Sequence, residues 1–326
     1  MTEGKWPNGR ALFYSSYLIV LAIAYIVLGG VEYVFVFQIL CALISLVCLY
    51  KITQKISGSN QMAFISGVLY LCWFKFFQWN LILYTESLFT SFVVITAYII
   101  FTKKGRIRIL LAPMVIVFTV FLRPTGMGLL VAVLAIIMNL IFQKKNINRL
   151  GKALVVLFVM VLFLIGMNII LRPFVDSFID SYAKAEILYP NQSLFLNVAE
   201  DFKLPPQDCS PIVKMLLVWY ENPIYMMRLT GLKVLLFLFH AKPYYSVFHN
   251  IYIFSCLIPL YFFALRGCRV NKCYTIFSFS FLFFQVFTVG LTSENWDGRF
   301  LLPVIPLLVV LATLGVYQAL EQRSAV

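Results

Sequence analysis

The chain is a succession of apolar runs joined by short polar links. Several of the runs are near or above the roughly 18 residues that cross a bilayer as a helix. They cover 11–30, 34–50, 62–77, 81–102, 109–122, 127–142, 153–171, 251–265, 273–291 and 300–320. They lack the short alternating pattern of an outer-membrane barrel, so the spans are helical. The chain is 62% hydrophobic and 12% charged, with a mean hydropathy of +0.92. A soluble domain of this length would carry about twice that charge fraction. The 32 Phe and 18 Tyr suit lipid-facing surfaces and interfacial belts. The expected fold is all-α: a polytopic transmembrane helical bundle with an external loop domain. The expected parts are an N-terminal transmembrane module over 1–173, a loop domain over 174–249 and a C-terminal transmembrane module over 250–326.

A net charge of +13 would point to nucleic acid in a soluble protein. Here the basic residues sit mainly in short loops, where they set orientation instead, and no nucleic-acid partner is expected. The links at 51–57, 103–108, 143–152, 266–272 and 321–326 alternate onto one face. They hold more than half of the 26 basic residues and, of the 13 acidic ones, Glu321 alone. That face is expected to be cytoplasmic. The opposite face holds Glu32, Glu86, Glu294, Asp297 and the acidic residues of the long segment after residue 173. That segment contains Pro190, Pro205, Pro206, Pro211, Pro223 and Pro243, and 215–220 and 229–239 read as helices lying at the interface. Residues 1–10 lack the order of a signal peptide. The run 11–30 holds Tyr14, Ser15, Ser16, Tyr17 and Tyr25, and either spans or reclines on the outer leaflet. No Cys/His spacing matches a zinc site, and the candidate site includes no metal ligands.

Three polar motifs interrupt the apolar pattern at helix ends on the expected outer face. Glu294-Asn295-Trp296-Asp297-Gly298-Arg299-Phe300 packs two carboxylates and a guanidinium between two runs, where charge is costly to keep. Tyr84-Thr85-Glu86-Ser87 opens a helix, with Thr85 as its cap. Glu86 either satisfies the helix dipole or faces a hydrated cavity, orienting substrate or a second charge. Arg123-Pro124-Thr125-Gly126 joins two runs, and Arg123 is a snorkelling side chain, a phosphate ligand or the partner of Glu86. Arg299 precedes Phe300-Leu301-Leu302-Pro303 and Pro306, an irregular helix start at headgroup level. His240 and His249 flank Lys242-Pro243-Tyr244-Tyr245-Ser246 and read as structural; Asn191-Gln192-Ser193 is a short glycosylation sequon.

On Thr85-Glu86, the Arg123-Pro124-Thr125-Gly126 link and Arg299-Phe300-Leu301-Leu302-Pro303 with Pro306, the chain resembles the GT-C class of membrane glycosyltransferases. It is similar to the branch of dolichyl-phosphate-mannose–protein mannosyltransferases and aminoarabinose transferases, over roughly residues 9–320. The resemblance implies an inverting transferase in the membrane, expected to be the bacterial plasma membrane, with its site outward. It would take sugar from a polyprenyl-phosphate donor and pass it to a lipid, glycan or protein acceptor. The resemblance implies that Arg299 and Arg123 bind the donor phosphate; the candidate catalytic carboxylates are Glu86 and Asp297, and the candidate substrate-binding residues are Arg123, Glu294 and Arg299. No cofactor beyond the lipid-linked donor is implied, and a divalent metal is left open. The chain departs from the class at its start. The first helix and its acidic motif would precede Met1, so the 326 residues alone are expected to be inactive. A polysaccharide polymerase or ligase, a transporter or flippase, and an inactive scaffold are the alternatives.

Overall fold

The computed structural model describes residues 9–144, 148–189, 193–194, 196–198, 201–295 and 297–324, without the side chains of residues 9, 10, 75, 294, 295, 323 and 324. It is nearly all helical. In chain order the helices are α1 (Ser15–Ile23), α2 (Val34–Ser57), α3 (Asn60–Leu71), α4 (Phe74–Gln78), α5 (Thr85–Thr102), α6 (Gly105–Val120), α7 (Met127–Gln143), α8 (Arg149–Leu171), α9 (Val175–Ala183), α10 (Pro211–Glu221), α11 (Pro223–Phe239), α12 (Val247–Gly267), α13 (Lys272–Leu291) and α14 (Ile305–Ser324). Two short strands, β1 (Leu188–Tyr189) and β2 (Glu294–Asn295), pair in parallel, with Leu188 opposite Glu294 and Tyr189 opposite Asn295.

Among the described residues, eight stretches are long and apolar enough to cross a membrane: Ala11–Leu28, Val31–Ser57, Thr85–Thr102, Pro124–Gln143, Arg149–Leu171, Val247–Gly267, Lys272–Leu291 and Ile305–Gln322. This is a multi-pass membrane protein. Two expected runs differ. Residues 62–77 break at Cys72-Trp73 into α3 and α4. Residues 109–122 contribute to α6, which has 16 residues and carries Pro113 in its interior. The run 11–30 is helical but irregular, passing from a 3-10 turn through α1 into a π turn, which Gly29 ends with φ of 83°.

The chain forms two compact units. The first comprises residues 1–133, 246–284 and 301–326. Within it α2 packs on α3 and α5, α5 on α6, and α14 on α2, α3 and α12. Gly267 and Gly315 let the backbones of α12 and α14 meet: a Cβ on Gly267 would run into the Leu311 carbonyl, and one on Gly315 into that of Phe263. Small residues at such crossings are how helices approach in lipid, where apolar burial drives little association.

The second unit comprises residues 134–245 and 285–300. Its core gathers Leu171, Val175, Ile179, Tyr182, Met215, Val218, Met226 and Leu229 from α8 to α11. The expected helices at 215–220 and 229–239 lie within α10 and α11. Pro211 and Pro223 occupy the first position of each, where the missing N–H costs no helical hydrogen bond.

Candidate functional site

The head of α5 gathers several buried polar groups of the first unit, among them Gln38, Asn80, Thr85, Glu86, Ser87 and Arg123. Gln78-Trp79-Asn80-Leu81 turns the chain, and Gln38 of α2 holds the turn. Its Nε2 donates to the carbonyls of Trp79 at 3.3 Å, Asn80 at 3.1 Å and Ile82 at 3.1 Å. Its Oε1 accepts from the Tyr17 hydroxyl at 3.3 Å. Ser87 donates to Oδ1 of Asn80. With that turn fixed, α5 starts at Thr85 and Glu86 sits in its first turn, where the helix dipole favours a carboxylate. Thr85 is not the cap that the sequence predicts. Tyr84 occupies that position without a side-chain bond, and the Thr85 hydroxyl donates to Oε2 of Glu86 at 3.2 Å.

Arg123 reaches the same place from the end of α6. It is extended and precedes a 3-10 turn over Pro124–Gly126, in which the Gly126 N–H donates to the Arg123 carbonyl at 2.9 Å. Gly126 lies against the backbone of Thr119 and Val120, where a Cβ would collide. The Arg-Pro-Thr-Gly link is thus a tight re-entry: proline presets the turn, and glycine lets it close on the preceding helix. It aims the guanidinium inward. Nη1 of Arg123 lies 2.6 Å from Oε1 of Glu86, and the two side chains are 7% and 1% exposed. The Phe89 ring lies 6.0 Å from Cζ of Arg123. Deeper along α5, the buried hydroxyls of Thr90 and Ser91 have no hydrogen-bond partner among the described residues.

Comparison with known protein families, with curated proteins and with solved structures found no match.

In the second unit Asp297 and Arg299 form their own pair. Oδ1 of Asp297 accepts from the Arg299 backbone N–H at 3.3 Å and lies 3.4 Å from its Nε. Gly298 between them has φ of 68°, and a Cβ there would meet the His240 ring. The histidine is buried and packs on the turn that positions the pair. The backbone of Glu294 belongs to β2, whereas its side chain and Trp296 lie outside the described residues; so do Asn191 and Gln192 of the sequon and the nearest upstream carboxylate, Glu3. Of the five candidate site residues, the structure pairs Glu86 with Arg123 and Asp297 with Arg299, each pair inside its own unit. Among the described residues no group of three His, Cys, Asp or Glu side chains is placed to hold a metal ion.

One charged group of this unit goes unmarked in the sequence. Lys233 of α11 is fully buried and donates to the Thr292 carbonyl. Its Nζ lies 4.8 Å from the centroid of the Tyr182 ring. Burial pushes its pKa down to about 7, against the opposing pull of Glu186. Tyr182 donates to the Leu291 carbonyl, and Tyr225 donates to the Tyr182 carbonyl at 2.6 Å; burial raises both phenols, Tyr225 to about 12. Ser181 and Ser293 hydroxyls lie 2.9 Å apart. These contacts tie the start of the Glu294–Phe300 loop to α9 and α11.

Proposed function

We propose that this protein is a glycosyltransferase that moves a sugar from a polyprenyl-phosphate donor to a lipid, glycan or protein acceptor. The observation that carries the reading is the Glu86–Arg123 pair, buried at the joint of α5, α6 and α7 in a membrane protein. Intramembrane charges are expensive and mark functional sites. A planar guanidinium held by a carboxylate suits the two oxygens of a donor phosphate. The motif resemblance supports the same class, and the basic links support an outward-facing site; we place it in a bacterial plasma membrane on the resemblance alone.

In the proposed reaction an acceptor hydroxyl attacks the anomeric carbon. A new C–O bond forms, the bond from that carbon to the phosphate oxygen breaks, and polyprenyl phosphate leaves with the electron pair. A carboxylate takes the hydroxyl proton. Arg123 would stabilise charge on the phosphate, and Glu86 would orient it or accept the proton; within the second unit the Asp297–Arg299 pair offers the same two chemical groups.

The test is binding of a short-chain polyprenyl-phosphate sugar by the full chain in nanodiscs, read by native mass spectrometry. Arg123→Ala should weaken binding at least tenfold, and Arg123→Lys should restore little, because lysine keeps charge but loses the fork. Wild-type binding by Arg123→Ala would sink the reading.

A transporter is the second reading. Thr90 and Ser91 favour it, being polar, buried and without a hydrogen-bond partner among the described residues, on the helix that carries Glu86. Uptake of a solute into vesicles, lost in Thr90→Val with Ser91→Ala while donor binding is absent, would decide for it.

A further inference from the structure

At the end of α5 remote from Glu86 lies a cleft of about 320 Å³, lined by Lys51, Gln54, Lys55, Tyr98, Thr102 and Lys103. That volume is at the lower end of the range for small-molecule sites, roughly 300–1,000 Å³. Two helix ends build it. Lys51, Gln54 and Lys55 share one face of the last turns of α2, being three and four residues apart. Tyr98 and Thr102 share a face of the last turn of α5, and Lys103 follows as its C-terminal cap.

The cleft is rich in cations and holds no carboxylate. Nζ of Lys51 donates to Oε1 of Gln54 at 3.1 Å, and Gln54 in turn donates to Oδ1 of Asn60 at 2.5 Å. Nζ of Lys51 lies 5.6 Å from the Tyr50 ring, and Nζ of Lys103 lies 5.2 Å from the Tyr98 ring. Among the described residues, none of the three ammonium groups has a carboxylate within ion-pair distance. Lysines at helix C-termini also answer the dipole, so that role must be subtracted. Each helix end supplies about half a negative charge. Two ends offset roughly one of three ammonium charges, leaving about two positive charges around one concavity.

We propose that this cleft binds a phosphate-bearing headgroup. Gln54, Tyr98 and Thr102 supply hydrogen-bonding groups beside the lysines. The cleft sits at the ends of two stretches apolar enough to cross the membrane, Val31–Ser57 and Thr85–Thr102. Lysines there extend toward lipid headgroups, and basic pockets between membrane helices take anionic ones. The same chemistry would accept a soluble phosphate, and the experiment separates the two sources.

The full chain is purified from equimolar phosphatidylglycerol and phosphatidylcholine vesicles, and co-purifying lipid is identified by native mass spectrometry. In parallel, inorganic phosphate is titrated against thermal unfolding in a zwitterionic detergent. The wild type should retain phosphatidylglycerol over phosphatidylcholine. Each lysine neutralised to Gln should weaken retention about fivefold, and Lys51→Gln, Lys55→Gln and Lys103→Gln together about a hundredfold. The triple Lys→Arg variant should retain the lipid, which separates lost charge from lost folding. Stabilisation by phosphate without lipid retention assigns the cleft to a soluble ligand; retention without a phosphate response assigns it to lipid. A wild type that shows neither, or a triple Gln variant that keeps whichever the wild type shows, overturns the proposal.

Discussion

Glu86 and Arg123 are the residues whose removal separates folding from function. Taking away one partner strands the other charge in the interior, at a cost of about 3–5 kcal/mol, whereas replacing both with apolar side chains of similar volume is often neutral. Arg123→Met alone should therefore lower thermal stability strongly, and Glu86→Leu with Arg123→Met should recover most of it while donor binding stays lost. A double variant as unstable as the single one would mean that the wider Gln38–Tyr17–Asn80 network, rather than the pair, sets the cost. Lys233 makes a pH prediction. Its pKa is near 7 when folded and 10.5 at its ordinary value. Between those limits the unfolded chain binds one proton more, so folding stability rises with pH through that window, by about 1.4 kcal/mol per unit. Below about pH 7 both states carry the proton and this contribution vanishes. Lys233→Met should flatten the rise measured by thermal unfolding from pH 7 to 9; an unchanged slope refutes the assignment. The sequence marks Glu86 and Arg123 individually, because charges amid apolar runs are rare. Their partnership across 37 positions stands in the sequence only as one of three readings of Arg123, since nothing local fixes which helix ends meet. Lys233 carries no such mark: a lone lysine in a partly apolar run reads as a snorkelling side chain.

Elements follow the apolar pattern where it is long and lose it where it is short. The runs 34–50, 127–142, 153–171 and 273–291 correspond closely to α2, α7, α8 and α13. Boundaries at prolines are less legible. The run 300–320 becomes a helix only from Ile305, because residues 299–304 form turns around Pro303. Residues 188 and 294 gave no strand signal, since a two-residue parallel pairing is set by the loops that meet there. The α12–α14 crossing depends on two glycines far apart in the chain, and a single sequence offers no reason to link them. Gly267→Ala should force the helices apart and cost about 1–3 kcal/mol by overpacking. Thermal unfolding in detergent checks this, with Gly166→Ala as the control, because a Cβ at Gly166 meets nothing within 4 Å. Equal effects at both sites would argue against close packing at the crossing.

For the whole molecule, charge distribution predicts orientation. With the seven native cysteines replaced, Ser193→Cys should react with an impermeant maleimide on intact cells, and Arg106→Cys only after permeabilisation. The reverse pattern would turn the basic cleft outward and place Glu86 toward the cytoplasm. The way the two units share the chain also bears on how the protein is made. α14 leaves the ribosome after α2, α3 and α12, the helices on which it packs. β1 likewise waits for β2 until α13 has been translated. A nascent chain at that stage holds an open seam in the bilayer, with the Gly267 groove uncovered. Until α14 docks, the Gly267 face of α12 has lipid rather than a helix backbone against it, so the order of synthesis makes this crossing a late step of assembly.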